Sequence, residues 1–197
     1  MPNQIITIEE RLVYSDVKNK WVKLYFDRVR FPNGKDGYYN KIVESEGKEG
    51  VVILPIAQGH IGLVRQFRYP ISADVWEIPR GFGETDNTEA DAAREFLEET
   101  GIMMLPDNFI NLGPVHPNSG ILSSIVRIFA AIYRRFPPLA IKADEEISEF
   151  MWLQYSDVLS KIAAGAITDS FTMAALLRAQ LKGLFDRSTN EKVKGVP

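Results

Sequence analysis

The 197-residue chain has no cysteine and only two histidines. The first absence excludes a disulfide scaffold and a Cys-ligated zinc site. The two histidines are poor candidates for a general base. His60 falls in a turn between two apolar runs, and His116 precedes Pro117. No run approaches the ~18 apolar residues that a membrane helix needs. The opening MPNQIITIEERLVYSD lacks the apolar centre of a signal peptide. A surplus of positive charge is also missing: net charge is -3 and the pI about 5.5. That argues against a nucleic-acid binder held by a broad basic surface. It leaves room for a small anionic ligand held by local Arg, Lys and metal. No internal repeat or low-complexity tract stands out. These absences together lead us to expect a soluble, cytoplasmic protein, with no membrane and no nucleic-acid partner.

What is present is ordinary for a globular protein: 45% apolar and 25% charged residues. The length suits one sizeable domain, or a core domain with a small accessory one. The first half is strand-rich. WVKLYFDRV (21–29) and YYNKIVE (38–44) flank the turn PNGKDG, and GVVILPI (50–56) and IGLVRQF (61–67) flank AQGH, which reads as a hairpin. VWEIPRGFGETDNT reads as a loop. A helix is predicted from Thr88, capped by Asn87 or Thr88, with Glu89 and Asp91 at its positive end and Gly101 closing it. FINLGPV, SIVRIFAAIYRR and EFMWL read as strands, and RFPPLAIKADEEIS as a polar loop. Two helices follow, Ser156–Ala164 and about Ser170–Leu181. The tail DRSTNEKVKGVP reads as frayed. Strands mixed with helices in this order predict an α/β sandwich.

The segment AAREFLEETGI (92–102) carries the chemistry. Glu95, Glu98 and Glu99 stand at i, i+3 and i+4, so a helix stacks their charges on one face. Like charges so placed repel by a few tenths of a kcal/mol per pair. A solvated helix face is the bland explanation. A loop with Gly81 and Gly83 leads straight into this helix, however, and Ala93, Phe96 and Leu97 give it another face to bury. Carboxylates meeting a loop carbonyl make an oxygen-rich site suited to a hard cation such as Mg²⁺.

REFLEETGI resembles the second half of the Nudix box, Gx5Ex7REUxEExGU with U apolar. The resemblance implies a Nudix α/β/α sandwich with a mixed sheet, and a loop-helix-loop that holds divalent cations, Mg²⁺ or Mn²⁺, against a substrate diphosphate. Carried over, the metal ligands are Glu95 and Glu99, with Glu98 sharing or supporting, and Arg94 is structural. Strict counting places Asp86 at the box glutamate and Arg80 at its glycine. Gly81 follows directly, so the loop reads as one residue short. The Arg80 carbonyl then matches a metal-ligand position.

The run VVILPI…IGLVRQFRYPISADVWEIPRGFGE resembles the branch that cleaves ADP-ribose and nucleoside-diphosphate sugars. Arg68 matches an arginine that contacts the diphosphate, and a planar guanidinium suits bidentate phosphate recognition. Arg65 reads as a surface charge. Glu77 matches an acid that meets ribose or metal-bound water, or braces the loop. Arg80, where the branch often has alanine, would add a phosphate contact. Pro117 matches a proline of the substrate loop HPNSGILSS, which here lacks the acid often found a few residues later; Leu122, Ser123 and Ser124 occupy that stretch. The branch's general base maps to KADEEISEF, making Glu146 and Glu145 the candidates, with Glu149 behind. Residues 1–49 match a region that exchanges between subunits of a homodimer, where Trp21, Tyr25, Phe26, Tyr38 and Tyr39 would line a base-binding cleft. Residues 50–185 would be the hydrolase domain and 186–197 a tail. The implied activity is metal-dependent hydrolysis to a nucleoside monophosphate and a sugar phosphate. Another dinucleotide or modified nucleotide as substrate, or nucleotide sensing without cleavage, are the alternatives.

Overall fold

The computed structural model describes residues 4–19, 21–138 and 147–185. The N-terminal strands are β1 (Ile6–Glu9), β2 (Leu12–Tyr14), β3 (Val22–Arg30) and β4 (Asp36–Glu44). β1 and β2 run antiparallel to successive stretches of one edge of β3, and β4 lies along its other edge from Val22↔Glu44 to Arg30↔Asp36. The turn between β3 and β4 closes on the Phe31 carbonyl, which accepts from the Gly34 N–H at 2.9 Å. This small sheet is tied to the rest of the chain at Ile42. Its N–H donates to the Ile121 carbonyl at 2.8 Å, and its own carbonyl accepts from Ser123 N–H at 2.9 Å.

The second sheet contains β5 (Gly50–Ala57), β6 (His60–Arg68), β7 (Ala73–Glu77), β8 (Arg80–Gly81), β9 (Ile110–Val115), β10 (Val126–Tyr133) and β11 (Ile147–Gln154). Its order is β11-β6-β5-β10-β9, with β10 parallel to β5 and the other pairs antiparallel. β5 and β6 pair only beside their hairpin, at Ile56↔Ile61 and Ala57↔His60. Beyond that they part. β7 pairs with β6 and β8 with β5 inside the opening, and Ile53 N–H donates to the Pro79 carbonyl at 2.8 Å. The segment read from sequence as a loop is therefore partly strand. The parted strands leave buried N–H and C=O groups that must find partners, and this segment supplies them.

Every residue of β5 is buried, so apolar side chains go to both faces. Val51, Ile53 and Ala57 join a core with Ala92 and Phe96 of α1 (Thr88–Thr100), while Val52, Leu54 and Ile56 join one with Val158 of α2 (Tyr155–Ala163) and Ala175 and Leu176 of α3 (Ser170–Leu181). The period of two thus divides the layers of an α/β/α sandwich. In β6, Gly62 lies in a tight place. A Cβ there would stand 2.6 Å from Phe150 Cζ and 2.9 Å from Pro55 Cβ.

Helix α1 has the expected bounds for the expected reasons. The Asn87 side chain accepts from Ala90 N–H at 3.0 Å, and Gly101 closes the helix in the left-handed conformation at φ 69°. Its apolar side is anchored by fully buried Phe96, whose truncation would cost about 3–5 kcal/mol. That leaves the carboxylate side facing the β8 end of the sheet.

Candidate active site

A cavity of about 760 Å³ opens where β5 and β6 part. Arg68, Arg80, Glu95, Glu98, Glu99 and Pro117 all line it. These residues are spread over some fifty positions of sequence, and the fold brings them to one wall-and-floor arrangement. Glu77 does not line the cavity. It is 1% exposed and sits beneath it, at the end of β7. Arg65 does not line the cavity; it pairs with Asp74 at 2.9 Å, both side chains being exposed. Glu145 and Glu146 lie outside the described residues.

Glu77 holds two guanidinium groups at once. Arg68 Nη2 donates to Glu77 Oε1, and its Nε to Oε2 at 3.3 Å. Arg80 donates through Nε to Oε1 at 3.2 Å and through Nη2 to Oε2 at 3.3 Å. A carboxylate so buried needs this compensation. One negative charge between two positive ones leaves a net cationic pair turned to the cavity. The Arg80 guanidinium also lies 5.1 Å over the Phe171 ring, within cation–π range.

Across from it stands the acidic face of α1. The Arg80 N–H donates to Glu99 Oε2 at 3.0 Å. Arg94 organises the rest: it meets Glu95 at 2.9 Å and Glu98 at 3.0 Å, and donates to the Phe82 carbonyl at 3.1 Å. That last bond ties the glycine loop to the helix, the structural role expected for Arg94. Burial pushes the Glu99 carboxyl up to about 8; the nearby Glu95 and Glu77 charges add to the shift, and the Arg80 N–H and Arg68 oppose it. Burial also raises Glu95, against the pull of Arg94. The pocket is thus short of positive charge on this side.

Glu95 rests in a notch at Gly81. A Cβ on Gly81 would come 1.9 Å from its Cδ and 2.1 Å from both carboxylate oxygens. Only glycine leaves room for that carboxylate. Among the described residues, no group of three or more acidic, histidine or cysteine side chains forms a ready cage for an ion. Magnesium does not require one, because it keeps several waters and takes one or two carboxylates with substrate phosphate oxygens. The all-oxygen donor set, the notch and the charge deficit fit such an ion.

Strict counting places Asp86 at the box acid. Asp86 is exposed, and the buried acid that braces this loop is Asp91, in the first turn of α1. Its Oδ2 accepts from the Thr85 N–H and hydroxyl, both at 3.2 Å, and Oδ1 is 3.9 Å from Arg94. The loop bends back over the first turn of α1, so the bracing acid comes from the helix. Among the further lining residues that sequence reasoning did not single out as site residues are Phe82, Phe171 and Glu44. Trp21 stacks on Phe82, with centroids 5.8 Å apart and planes at 18°, and both rings line the cavity. Tyr39 lines a separate, smaller cavity of about 320 Å³ beside the N-terminal sheet, and Phe26 and Tyr38 stack on each other at 4.8 Å.

The acidic face of α1 and the glycine loop before it lie within residues 48–174, which match the NUDIX domain. The chain belongs to the NUDIX family. An ADP-ribose pyrophosphatase of Bacillus subtilis (strain 168) is 30% identical over 179 residues, covering 89% of this chain and 92% of the relative. A GDP-mannose pyrophosphatase of Yersinia enterocolitica is 27% identical over 180 residues, covering 85% and 93%. A solved structure titled "Crystal structure of ADP compounds hydrolase" shares the NUDIX fold of this chain, with a TM-score of 0.77 over 93% of this chain and 97% of that one at 17% identity.

Proposed function

We propose that this NUDIX protein is a divalent-cation-dependent hydrolase that cleaves the diphosphate of ADP-ribose or a related nucleoside-diphosphate sugar. The observation that carries the reading is the meeting, in one cavity, of the acidic face of α1 and the Arg68–Glu77–Arg80 clamp. A diphosphate needs cations on both sides. The clamp supplies fixed ones, aligned as forks for phosphate oxygens. Glu95, Glu98 and Glu99, with the Arg80 carbonyl, would hold Mg²⁺ or Mn²⁺. Such an ion, once bound, neutralises phosphate charge and lowers the pKa of a water.

The protein's own groups do the remainder. Arg68 and Arg80 orient the anhydride, and Glu77 keeps both guanidiniums in place. A carboxylate takes the proton from water as its oxygen attacks phosphorus and the bridging P–O bond breaks, giving a nucleoside monophosphate and a sugar phosphate. Glu98, Glu145 and Glu146 are our candidates for that base. Glu98 is the described one, and its side chain is 56% exposed, within reach of solvent water. Pro117 lines the same cavity.

We also propose that residues 1–49 form a dimerising unit apart from the hydrolase domain at 50–185. The support is the row of exposed apolar side chains on β1 and β2, including Ile6, Ile8, Leu12 and Tyr14. The functional test is release of nucleoside monophosphate from ADP-ribose, ADP-glucose, GDP-mannose and a diadenosine polyphosphate, with Mg²⁺ and with chelator. Metal-dependent release from a nucleotide sugar is expected. Binding of nucleotide without release from any of them would refute the hydrolase reading and favour a sensor.

A further inference from the structure

Glu44, at the end of β4, puts a carboxylate into the cavity wall formed by the N-terminal sheet. Among the described residues its hydrogen-bond partner is the Ser124 hydroxyl, which donates to Oε2 at 2.5 Å. The contact is held from both sides. Val22 pairs with Glu44 across the sheet, and the loop bearing Ser124 is bonded to Ile42 through Ile121 and Ser123. The other carboxylate oxygen remains an acceptor. Next to it the Ser45 N–H donates to the Trp21 carbonyl at 2.9 Å, so the Trp21–Phe82 stack and Glu44 belong to one wall.

An aromatic face beside a fixed carboxylate is a base-reading arrangement: rings stack the base and the polar group reads its edge. An ionised carboxylate only accepts. Guanine offers it two adjacent donors, N1–H and the N2 amino group, which match both oxygens. Adenine offers one donor, N6, beside the N1 lone pair, which faces the carboxylate unfavourably. The geometry points to Glu44 as a specificity-determining residue that selects guanine over adenine in the nucleoside part of the substrate. This rests on the nucleoside-diphosphate-sugar reading above.

The test uses GDP-glucose and ADP-glucose, which share the sugar and differ in the base, with the full chain and Mg²⁺. The wild type should favour GDP-glucose in kcat/KM by about 10- to 100-fold, the discrimination a good bidentate base contact provides. Glu44→Gln should abolish the preference, because an amide presents one acceptor and one donor, which match adenine's N6 and N1 as well as guanine's N1–H and O6. Thermal melting checks that the variant folds. A wild type that favours ADP-glucose, or a Gln variant that slows both substrates equally, overturns the inference, the second outcome meaning that Glu44 touches sugar. If neither glucose sugar is cleaved, that outcome bears on the sugar or on the hydrolase reading and not on the base. Calorimetric binding of GDP against ADP to wild type and Glu44→Gln then decides the base preference on its own: GDP favoured by the wild type and the preference lost in the variant supports it, and equal wild-type affinities, or a preference unaltered in the variant, refute it.

Discussion

Gly81→Ala separates the site from the fold more cleanly than removal of any carboxylate. The new methyl would stand 1.9 Å from Glu95 Cδ, while ordinary contact begins at 3.4 Å, so the carboxylate must retreat by about 1.5 Å. The backbone itself can accept alanine. Gly81 is in an extended pair with Val51 and needs no left-handed conformation. Stiffening the unfolded chain favours the variant by about 0.4–1 kcal/mol, partly offset by loss of the 2.9 Å Arg94–Glu95 pair. The melting temperature should therefore stay within a few degrees, since 1 kcal/mol is worth about 2–4 °C in a chain of this size. The chemistry should suffer far more. A misplacement of about 1 Å at a reacting centre can cost on the order of 100-fold in rate, and disturbed metal ligation about 10- to 100-fold in affinity. Turnover of a nucleotide sugar, titrated with Mg²⁺, reads both, and melting is followed on the same samples. A folded Gly81→Ala protein with wild-type kcat and wild-type metal half-saturation would refute the placement of Glu95 as a ligand.

Other perturbations probe the remaining parts. Glu99→Gln should lower turnover by at least about 100-fold while the protein stays folded. Because the native Glu99 carboxyl is raised from 4.5 to about 8, the folded state holds its proton longer than the unfolded state does; Glu99 therefore makes the metal-free protein lose stability as pH rises between those values. That slope should be shallower in Glu99→Gln, and identical pH–melting profiles would contradict the burial argument. Arg80→Ala should raise KM by about 10-fold or more and also lower the melting temperature by a few degrees, since buried Glu77 then keeps Arg68 alone, whereas Glu77→Ala should destabilise by about 3 kcal/mol in denaturant titration, since two half-buried guanidiniums lose their partner. Replacing Ile6 and Leu12 together by lysine should shift sedimentation from dimer to monomer; an unchanged sedimentation coefficient would locate any dimer contact elsewhere.

Much of this arrangement was legible in the sequence where a local rule acts alone. The ends of α1 follow from Asn87 and Gly101, and the spacing of Glu95, Glu98 and Glu99 follows from helical geometry. What stayed hidden depends on distant partners. VWEIPRGFGE looks like a loop because it holds a proline and two glycines. It becomes strand because β5 and β6 separate, and nothing in its own composition announces that. Asp86 and Asp91 are indistinguishable by type. Only the bend of the loop over α1 decides that Asp91 is the one enclosed, although its place in the first helical turn was a usable hint. Glu44 is eighty residues from Ser124, and β4 reads as an ordinary strand end until that loop arrives.

The crowding around Gly62 bears on how faithfully the chain finds its fold. A strand buried on both faces carries little polarity information, so a slip of one residue would exchange one apolar surface for another at small cost in transfer energy. Steric exclusion provides the proofreading instead. Moving β6 by one position would press Ile61 or Leu63 into the space that Phe150 and Pro55 leave for a hydrogen atom. One residue without a side chain thus penalises the misaligned states, and the positions of Arg68 and Glu77 relative to the acidic helix are inherited from that exclusion.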